Sequence, residues 1–170
     1  MIIRKSTPQD LQAIMNIYAG ARAFMQSSGN PNQWKDGHPA REMVERDIQA
    51  GSSYVCVHNN DVAAVFYYGV EIEPTYLKID GKWLNDEPYG VVHRIARSGG
   101  ASGAGAFCLD WCYEQCHNLR LDTHRDNAPM RNLLDRLDFS YCGIIWLANG
   151  DERLAYQKAD VSIGKDWWHL

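Results

Sequence analysis

The feature that most constrains the fold is a strand that runs into a glycine-rich turn and then into an apolar helix. Residues 92–106 have the sequence VHRIARSGGASGAGA. Glycine lets backbone N–H groups approach a ligand closely, and the N-terminus of a helix attracts anions. The segment is therefore typical of a phosphate-binding turn, although a flexible surface loop has a similar composition.

Two nucleotide-binding motifs share this outline. A nucleotide P-loop needs Gly-Lys followed by Ser or Thr, and the sequence has no such triplet. A dinucleotide site needs G-x-G-x-x-G; Gly103 and Gly105 supply its first half, but Cys108 occupies the last position. Asp122 lies where a ribose-binding carboxylate is expected. A dinucleotide-binding module therefore stays open as an alternative.

Hydrophobic periodicity and capping residues predict the elements along the chain. Thr7 and Pro8 favour the start of a first helix, because Thr caps and Pro suits the first helical position. Further helices are predicted to begin at Pro39, at Ala104 and after Asp126 or Asn127. The predicted strands are 2–5, 53–57, 62–68, 76–79, 91–96, 119–123, 139–147 and 153–158, with a turn at 80–81.

The order of these elements predicts an α+β fold. Strands that alternate with helices in the second half imply a parallel crossover, whereas the hairpins imply antiparallel strands. We expect one domain at residues 1–160, in which about four helices flank a mixed, mostly antiparallel twisted sheet. Residues 161–170 form a Trp-rich C-terminal tail.

Charge and cysteine content narrow the class of protein. The chain has 17 basic and 21 acidic residues, a net charge of −4, which argues against binding nucleic acid through a broad basic face. No apolar run approaches the roughly 20 residues of a membrane span, and the start lacks the apolar core of a signal peptide. We therefore expect a cytoplasmic protein that binds neither nucleic acid nor membrane.

Cys108, Cys112 and Cys116 share one helical stripe, which we interpret as buried core, with no metal site.

The glycine-rich segment resembles the pyrophosphate loop of the GNAT superfamily of N-acetyltransferases, and the likeness covers roughly residues 2–158. The loop pattern of that family, Arg/Gln-x-x-Gly-x-Gly/Ala, is aligned with residues 102–107, so that Gly105 is the matching glycine and Ser102 replaces Arg or Gln. Residues 121–139 look like the second cofactor segment of the family. The resemblance implies a splayed pair of parallel strands. It also implies acetyl transfer from acetyl-coenzyme A (acetyl-CoA) to a primary amine by direct attack.

The resemblance also implies a set of cofactor-binding residues. The pantetheine arm would lie along the strand before the glycines, where a backbone N–H at or near Ile95 would polarise the thioester carbonyl. Backbone N–H groups of the turn would hold the pyrophosphate. The residues implied are Arg94, Ile95, Ala96, Gly100, Ala101, Ser102, Gly103, Ala104, Gly105, Ala106 and Asn127.

Direct attack needs a base for the amine and an acid for the departing thiolate. His93 lies on the strand expected to face the thioester, and an unperturbed imidazole titrates near pH 6.5, so we predict His93 as the base. A structural histidine within the sheet is the alternative. Many family members carry a tyrosine acid where this chain has Leu134, so Tyr141 or solvent is expected to protonate the thiolate.

Aromatic and acidic residues mark the acceptor side. Trp34 and His38 follow the first helix, and aromatic rings near an amine supply cation–π attraction, although packing explains Trp34 equally well. Glu71 and Glu73 are second candidates for binding the amine or accepting its proton. The expected partner is a small-molecule or peptide amine, and a homodimer is compatible with this interpretation. The alternative function is a dinucleotide- or acyl-CoA-binding module without acetyl transfer.

Overall fold

A computed structural model describes residues 1–160, and the predicted tail at 161–170 lies outside them. The described residues divide into two units, one made of residues 1–68 and 93–111 and the other of residues 69–92 and 112–160. Two strands, β3 (Asp61–Val70) and β5 (Gly90–Arg97), contribute residues to both units. None of the described helices has both the length and the apolar content needed to cross a membrane.

The first unit holds the N-terminal strands, two complete helices and the glycine-rich turn. Its elements include β1 (Ile2–Lys5), α1 (Leu11–Ser27), α2 (Arg41–Gln49), β2 (Ser53–His58) and α3 (Ala104–Cys116), whose last turns belong to the second unit. The strands of this unit lie in the order β1-β2-β3-β5, and β2 pairs antiparallel with both β1 and β3. The core lies where α1 and α2 pack on these strands, and Ile14, Val55 and Val65 are at most 1% exposed.

The predicted start of α1 is confirmed. A short 3-10 helix, Pro8–Asp10, leads into α1, and the Asp10 carboxylate accepts hydrogen bonds from the Thr7 N–H at 2.7 Å and the Thr7 hydroxyl at 3.2 Å. The Arg4 guanidinium donates two further bonds to Asp10, at 2.7 and 2.9 Å. These bonds lower the pKa of the buried Asp10 carboxyl to about 2, and the bonds from Arg4 have the largest effect.

Replacing Asp10 by Asn is expected to destabilise the protein by about 1–2 kcal/mol at neutral pH. The pKa of Asp10 is lower in the folded state, so the carboxylate stabilises the fold above about pH 4 and loses this effect as pH falls toward 2. Urea unfolding at pH 7 and near pH 2.5 gives the free energy of unfolding of the variant and of the native protein. The difference between the two should be smaller at the lower pH. Asp61→Asn, an exposed carboxylate in the same unit, is the control. A difference that stays constant with pH would contradict the assignment.

The second unit holds the remaining strands and the last helix. Its elements include β4 (Asp80–Gly81), β6 (Asn118–Thr123), α4 (Ala128–Arg136), β7 (Ser140–Trp146) and β8 (Glu152–Ala159). The strands of this unit lie in the order β5-β6-β8-β7-β4. β5 and β6 are parallel and pair at Gly90 with Leu119 and at Val91 with Arg120, whereas the pairs that β8 forms with β6 and β7 are antiparallel.

This arrangement confirms the predicted fold class. Residues 1–160 contain four α-helices and eight strands, mostly antiparallel, with a parallel pair formed by β5 and β6. That pair is joined only near the N-terminal ends of its strands, as a splayed pair requires.

The stripe of Cys108, Cys112 and Cys116 is fully buried. Burial raises the pKa of the Cys108 thiol, so that it stays protonated.

One predicted hairpin is wrong. Residues 76–79 form no strand: Pro74–Tyr76 is a 3-10 helix capped by the Glu73 side chain, which accepts from the Thr75 N–H, and Asp80–Gly81 is a strand rather than a turn. The reason is a close approach between β4 and β7. A Cβ at Gly81 or at Gly143 would lie 2.1 Å from a facing carbonyl oxygen, and both residues have positive φ. Glycine is therefore required on both strands here.

Candidate active site

The turn between β5 and α3 is built by consecutive backbone hydrogen bonds. The Ser98 N–H donates to the Ala63 carbonyl at 2.9 Å, the Ala101 N–H to Ser98 at 3.1 Å, and the Ala104 N–H to Ala101 at 3.2 Å. Gly103, with a φ of 80°, takes the left-handed conformation that glycine adopts most easily. The helix α3 then begins at Ala104, as the sequence predicts.

The turn contains several unpaired hydrogen-bond donors. The N–H groups of Ser102, Gly103, Gly105 and Ala106 have no hydrogen-bond partner within residues 1–160. The carbonyls of Ser98 and Gly99 accept from the Arg97 guanidinium at 3.2 and 3.3 Å. Unpaired N–H groups at a helix N-terminus, together with the helix dipole, bind phosphate oxygens. The turn therefore has the chemistry of an anion site.

The backbone favours a different alignment of the loop pattern. If the pattern starts at Gly100 instead of Ser102, its first glycine is Gly103, which has the positive φ, and its second is Gly105 in the first turn of α3. The alignment starting at Ser102 gives the first glycine position to Gly105, which is helical. Position 100 is a glycine too, so neither alignment supplies the Arg or Gln side chain of the pattern.

Arg94 has a backbone conformation that is unusual inside a strand. Its φ is 52°, and its carbonyl accepts a hydrogen bond from the Tyr18 hydroxyl at 2.8 Å. Its guanidinium donates to the Asp47 carboxylate at 2.6 Å and lies 5.0 Å from the centre of the Tyr67 ring. One guanidinium nitrogen is therefore engaged with Asp47, and the backbone carbonyl is engaged with Tyr18.

The first unit gathers the other sequence-predicted residues into two aromatic groups. The half-buried His93 ring lies 5.4 Å from the Tyr67 ring. Trp34 lies edge-on to Tyr18 at 5.5 Å and to His38 at 6.0 Å, and it packs against the core of α1 and α2. Packing therefore accounts for part of the Trp34 surface, and the half-buried His38 ring lies beside it.

The second unit positions further candidates by local contacts. Asn127 caps α4, since its side chain accepts from the Met130 N–H at 3.2 Å. Tyr141 is 57% exposed and lies edge-on to Tyr156 at 5.8 Å. The Leu134 side chain is fully buried.

The two acidic candidates and Asp122 also lie in the second unit. Glu71 is exposed, whereas the Glu73 carboxylate accepts from the N–H and hydroxyl of Thr75. The Asp122 carboxylate accepts a 2.7 Å bond from the buried Tyr76 hydroxyl. This bond engages one oxygen of the carboxylate on which the dinucleotide alternative depends.

Sequence reasoning missed three residues around Arg94. Tyr18 belongs to the apolar face of α1, Asp47 is one of several charges on α2, and Tyr67 lies within a β-strand pattern. Each residue fits an ordinary structural role in its own element. Only the three-dimensional structure joins them to Arg94.

Solved acetyltransferase structures resemble this chain. A GNAT-family acetyltransferase from Streptococcus agalactiae is 32% identical with a TM-score of 0.84, and the match covers 94% of this chain and 95% of that one. A GNAT-family acetyltransferase from Listeria monocytogenes is 20% identical with a TM-score of 0.67, and the match covers 92% and 93%. The second likeness bears on the fold alone. No protein-family model and no curated protein sequence matches the chain.

Proposed function

Since the chain belongs to the GNAT family of acetyltransferases, we propose that it transfers the acetyl group of acetyl-CoA to a primary amine. The observation that carries this proposal is the row of open N–H groups between β5 and α3. They suit the pyrophosphate of acetyl-CoA, because N–H groups at the start of a helix favour negative charge. The thioester of acetyl-CoA supplies the activated acetyl group.

The strand β5 supplies the proposed reaction centre. The Ile95 N–H stabilises the negative charge that develops on the thioester oxygen during attack. His93, next but one along β5, takes the proton of the ammonium directly or through water, and the neutral amine then attacks the carbonyl carbon. As the C–S bond breaks, the nitrogen that has attacked the carbonyl loses its remaining extra proton to water, and the sulfur takes a proton from Tyr141 or from solvent. Arg94, Ala96 and the turn at residues 100–106 contribute backbone contacts along the cofactor.

The acceptor is proposed to enter beside the aromatic group of Trp34 and His38. Rings close to a cationic amine attract it before it loses its proton. The carboxylates of Glu71 and Glu73 are proposed to favour the same cation by charge. These features fit a small-molecule or peptide amine.

The direct test is acetyl transfer by the purified protein. Acetyl-CoA is mixed with a panel of primary amines, and release of free thiol is followed together with the mass of the acetylated amine. We expect transfer to at least one amine and a higher melting temperature with acetyl-CoA than without. No transfer to any amine, together with a rise in melting temperature with either a nicotinamide dinucleotide or acetyl-CoA, would favour the alternative dinucleotide- or acyl-CoA-binding module.

Tyr141→Phe is expected to lower kcat by up to about 10²-fold if the phenol protonates the thiolate. The side chain is 57% exposed, so loss of its hydroxyl should leave the fold intact. Tyr113→Phe removes a phenol from α3 in the same unit and is the matched control. Steady-state kinetics with saturating acetyl-CoA give kcat for both variants. If Tyr141→Phe keeps the native kcat, solvent rather than Tyr141 protonates the thiolate.

A further inference from the structure

We propose that Tyr18 and Asp47 are positioning residues that hold Arg94 in its left-handed conformation and thereby aim the Ile95 N–H at the thioester oxygen. This inference rests on the proposed acetyl transfer. It deepens that proposal by assigning a role to two residues that lie outside the glycine-rich segment, on α1 and α2.

The conformation of Arg94 needs an external cause. Positive φ is unfavourable for side chains other than glycine and persists where surrounding contacts enforce it. Within residues 1–160, the other non-glycine residues with positive φ lie in turns or directly after helices, and most are Asp or Asn, which tolerate it best. Arg94 alone in this group lies inside a strand.

Two contacts hold Arg94 at opposite ends. The Tyr18 hydroxyl donates to its backbone carbonyl at 2.8 Å, and Asp47 accepts from its guanidinium at 2.6 Å. Tyr18 is 3% exposed, and the side chains of Arg94 and Asp47 are 15% and 16% exposed. A charge-assisted bond of this length, sheltered from water, is among the stronger contacts that a side chain makes. The Tyr67 ring also lies against the guanidinium, whose carbon is 5.0 Å from the ring centre.

The link from Tyr18 to Ile95 is the peptide plane. The Arg94 carbonyl and the Ile95 N–H belong to one planar trans peptide and point in opposite directions. A bond that fixes the carbonyl of Arg94 therefore also fixes the direction of the Ile95 N–H. If the Tyr18 hydroxyl is removed, Arg94 is free to relax toward negative φ, and this relaxation rotates the peptide.

The phenol of Tyr18 is suited to this role. Burial raises the pKa of Tyr18 above its ordinary value, so the hydroxyl remains a donor throughout the pH range in which an amine loses its proton. The ring itself packs in the core of α1 and α2 and against Trp34. Replacement by Phe keeps this packing and removes only the tether.

The test compares Tyr18→Phe with Tyr54→Phe, a variant that removes a phenol from β2 in the same unit. Loss of an oxyanion donor typically lowers kcat by about 10²–10³-fold, so we expect Tyr18→Phe to lower kcat by about 10²-fold. The KM for acetyl-CoA and the rise in melting temperature should stay native. Asp47→Asn should lower kcat in the same manner, and Tyr54→Phe should not. Native kcat in Tyr18→Phe, or an equal loss of kcat and cofactor binding, overturns the proposal.

Two further measurements separate a positioning role from a structural one. Glycine populates positive φ readily, so the double variant Tyr18→Phe/Arg94→Gly should regain part of the kcat lost in Tyr18→Phe. Absence of any recovery in a double variant that retains a cooperative melting transition overturns the proposal. If the native protein acetylates no amine, the proposed function fails, and NMR of the Ile95 amide still tests the tether. The proposal is supported if acetyl-CoA shifts the Ile95 amide signal in the native protein and does not shift it in Tyr18→Phe. Identical shifts in the two proteins overturn the proposal.

Discussion

Turnover of the His93→Ala variant is expected to fall about 10²–10⁴-fold, the usual contribution of a general base. His93 adjoins Arg94 on β5, and its ring rests against Tyr67. Alanine removes the proton acceptor but leaves the backbone of β5 and the glycine-rich turn unchanged. The melting temperature should therefore still rise with acetyl-CoA. This combination distinguishes a base from a histidine that only supports the sheet.

The pH dependence of kcat/KM provides the sharper measurement. If His93 accepts the amine proton, the dependence of kcat/KM on pH should change in His93→Ala. Added imidazole should restore part of the rate. His58→Ala, at the end of β2, removes an exposed histidine from the same unit and should keep the native profile. An identical profile in His93→Ala between about pH 6 and 9 would remove His93 from the mechanism.

The elements predicted correctly are those whose determinants lie close together in the chain. The helix α3 begins at the predicted residue, Ala104, because the glycines precede a largely apolar segment. The helix α4 begins after Asn127, whose side chain caps it. In both cases, a few neighbouring residues decide the local structure.

The prediction failed where distant residues determine the structure. Asp80–Gly81 has the composition of a turn, yet it forms β4 because Gly143 lets the two backbones approach closely. Gly81 and Gly143 are 62 positions apart, and the periodicity of residues 76–79 contains no information about β7. The apolar pattern in that stretch reflects Tyr76, which is buried by a 3-10 helix rather than by a strand.

The same distinction between local and distant determinants applies to the candidate site. Its anion-binding turn could be predicted because glycine content and helix start are local properties. The contacts around Arg94 could not, since Tyr18 and Asp47 are 76 and 47 positions away along the chain. Arg94 also gives no sequence signal of its positive φ, because arginine is not a residue that favours that conformation.

Replacing Gly105 by Glu is expected to abolish the rise in melting temperature that acetyl-CoA causes. The residue lies in the first turn of α3, beside the open N–H groups of Gly103 and Ala106. A carboxylate there would compete for these donors and repel the pyrophosphate. With acetyl-CoA at about 100 times Kd, the native protein should gain about 2.7 kcal/mol of stability, and the variant should gain none.

Matched substitutions separate this effect from damage to the fold. An acidic residue in the first turn of a helix interacts favourably with the helix dipole. Without ligand, Gly105→Glu should therefore unfold cooperatively near the native melting temperature. Gly20→Glu places the same side chain on an exposed position of α1, where a Cβ meets no atom within 4 Å, and should keep the full response to acetyl-CoA. Gly105→Gln adds similar bulk without charge and should weaken binding less than Glu does. A native response in Gly105→Glu, measured by differential scanning calorimetry and by direct titration with acetyl-CoA, would show that the pyrophosphate binds elsewhere than the turn between β5 and α3.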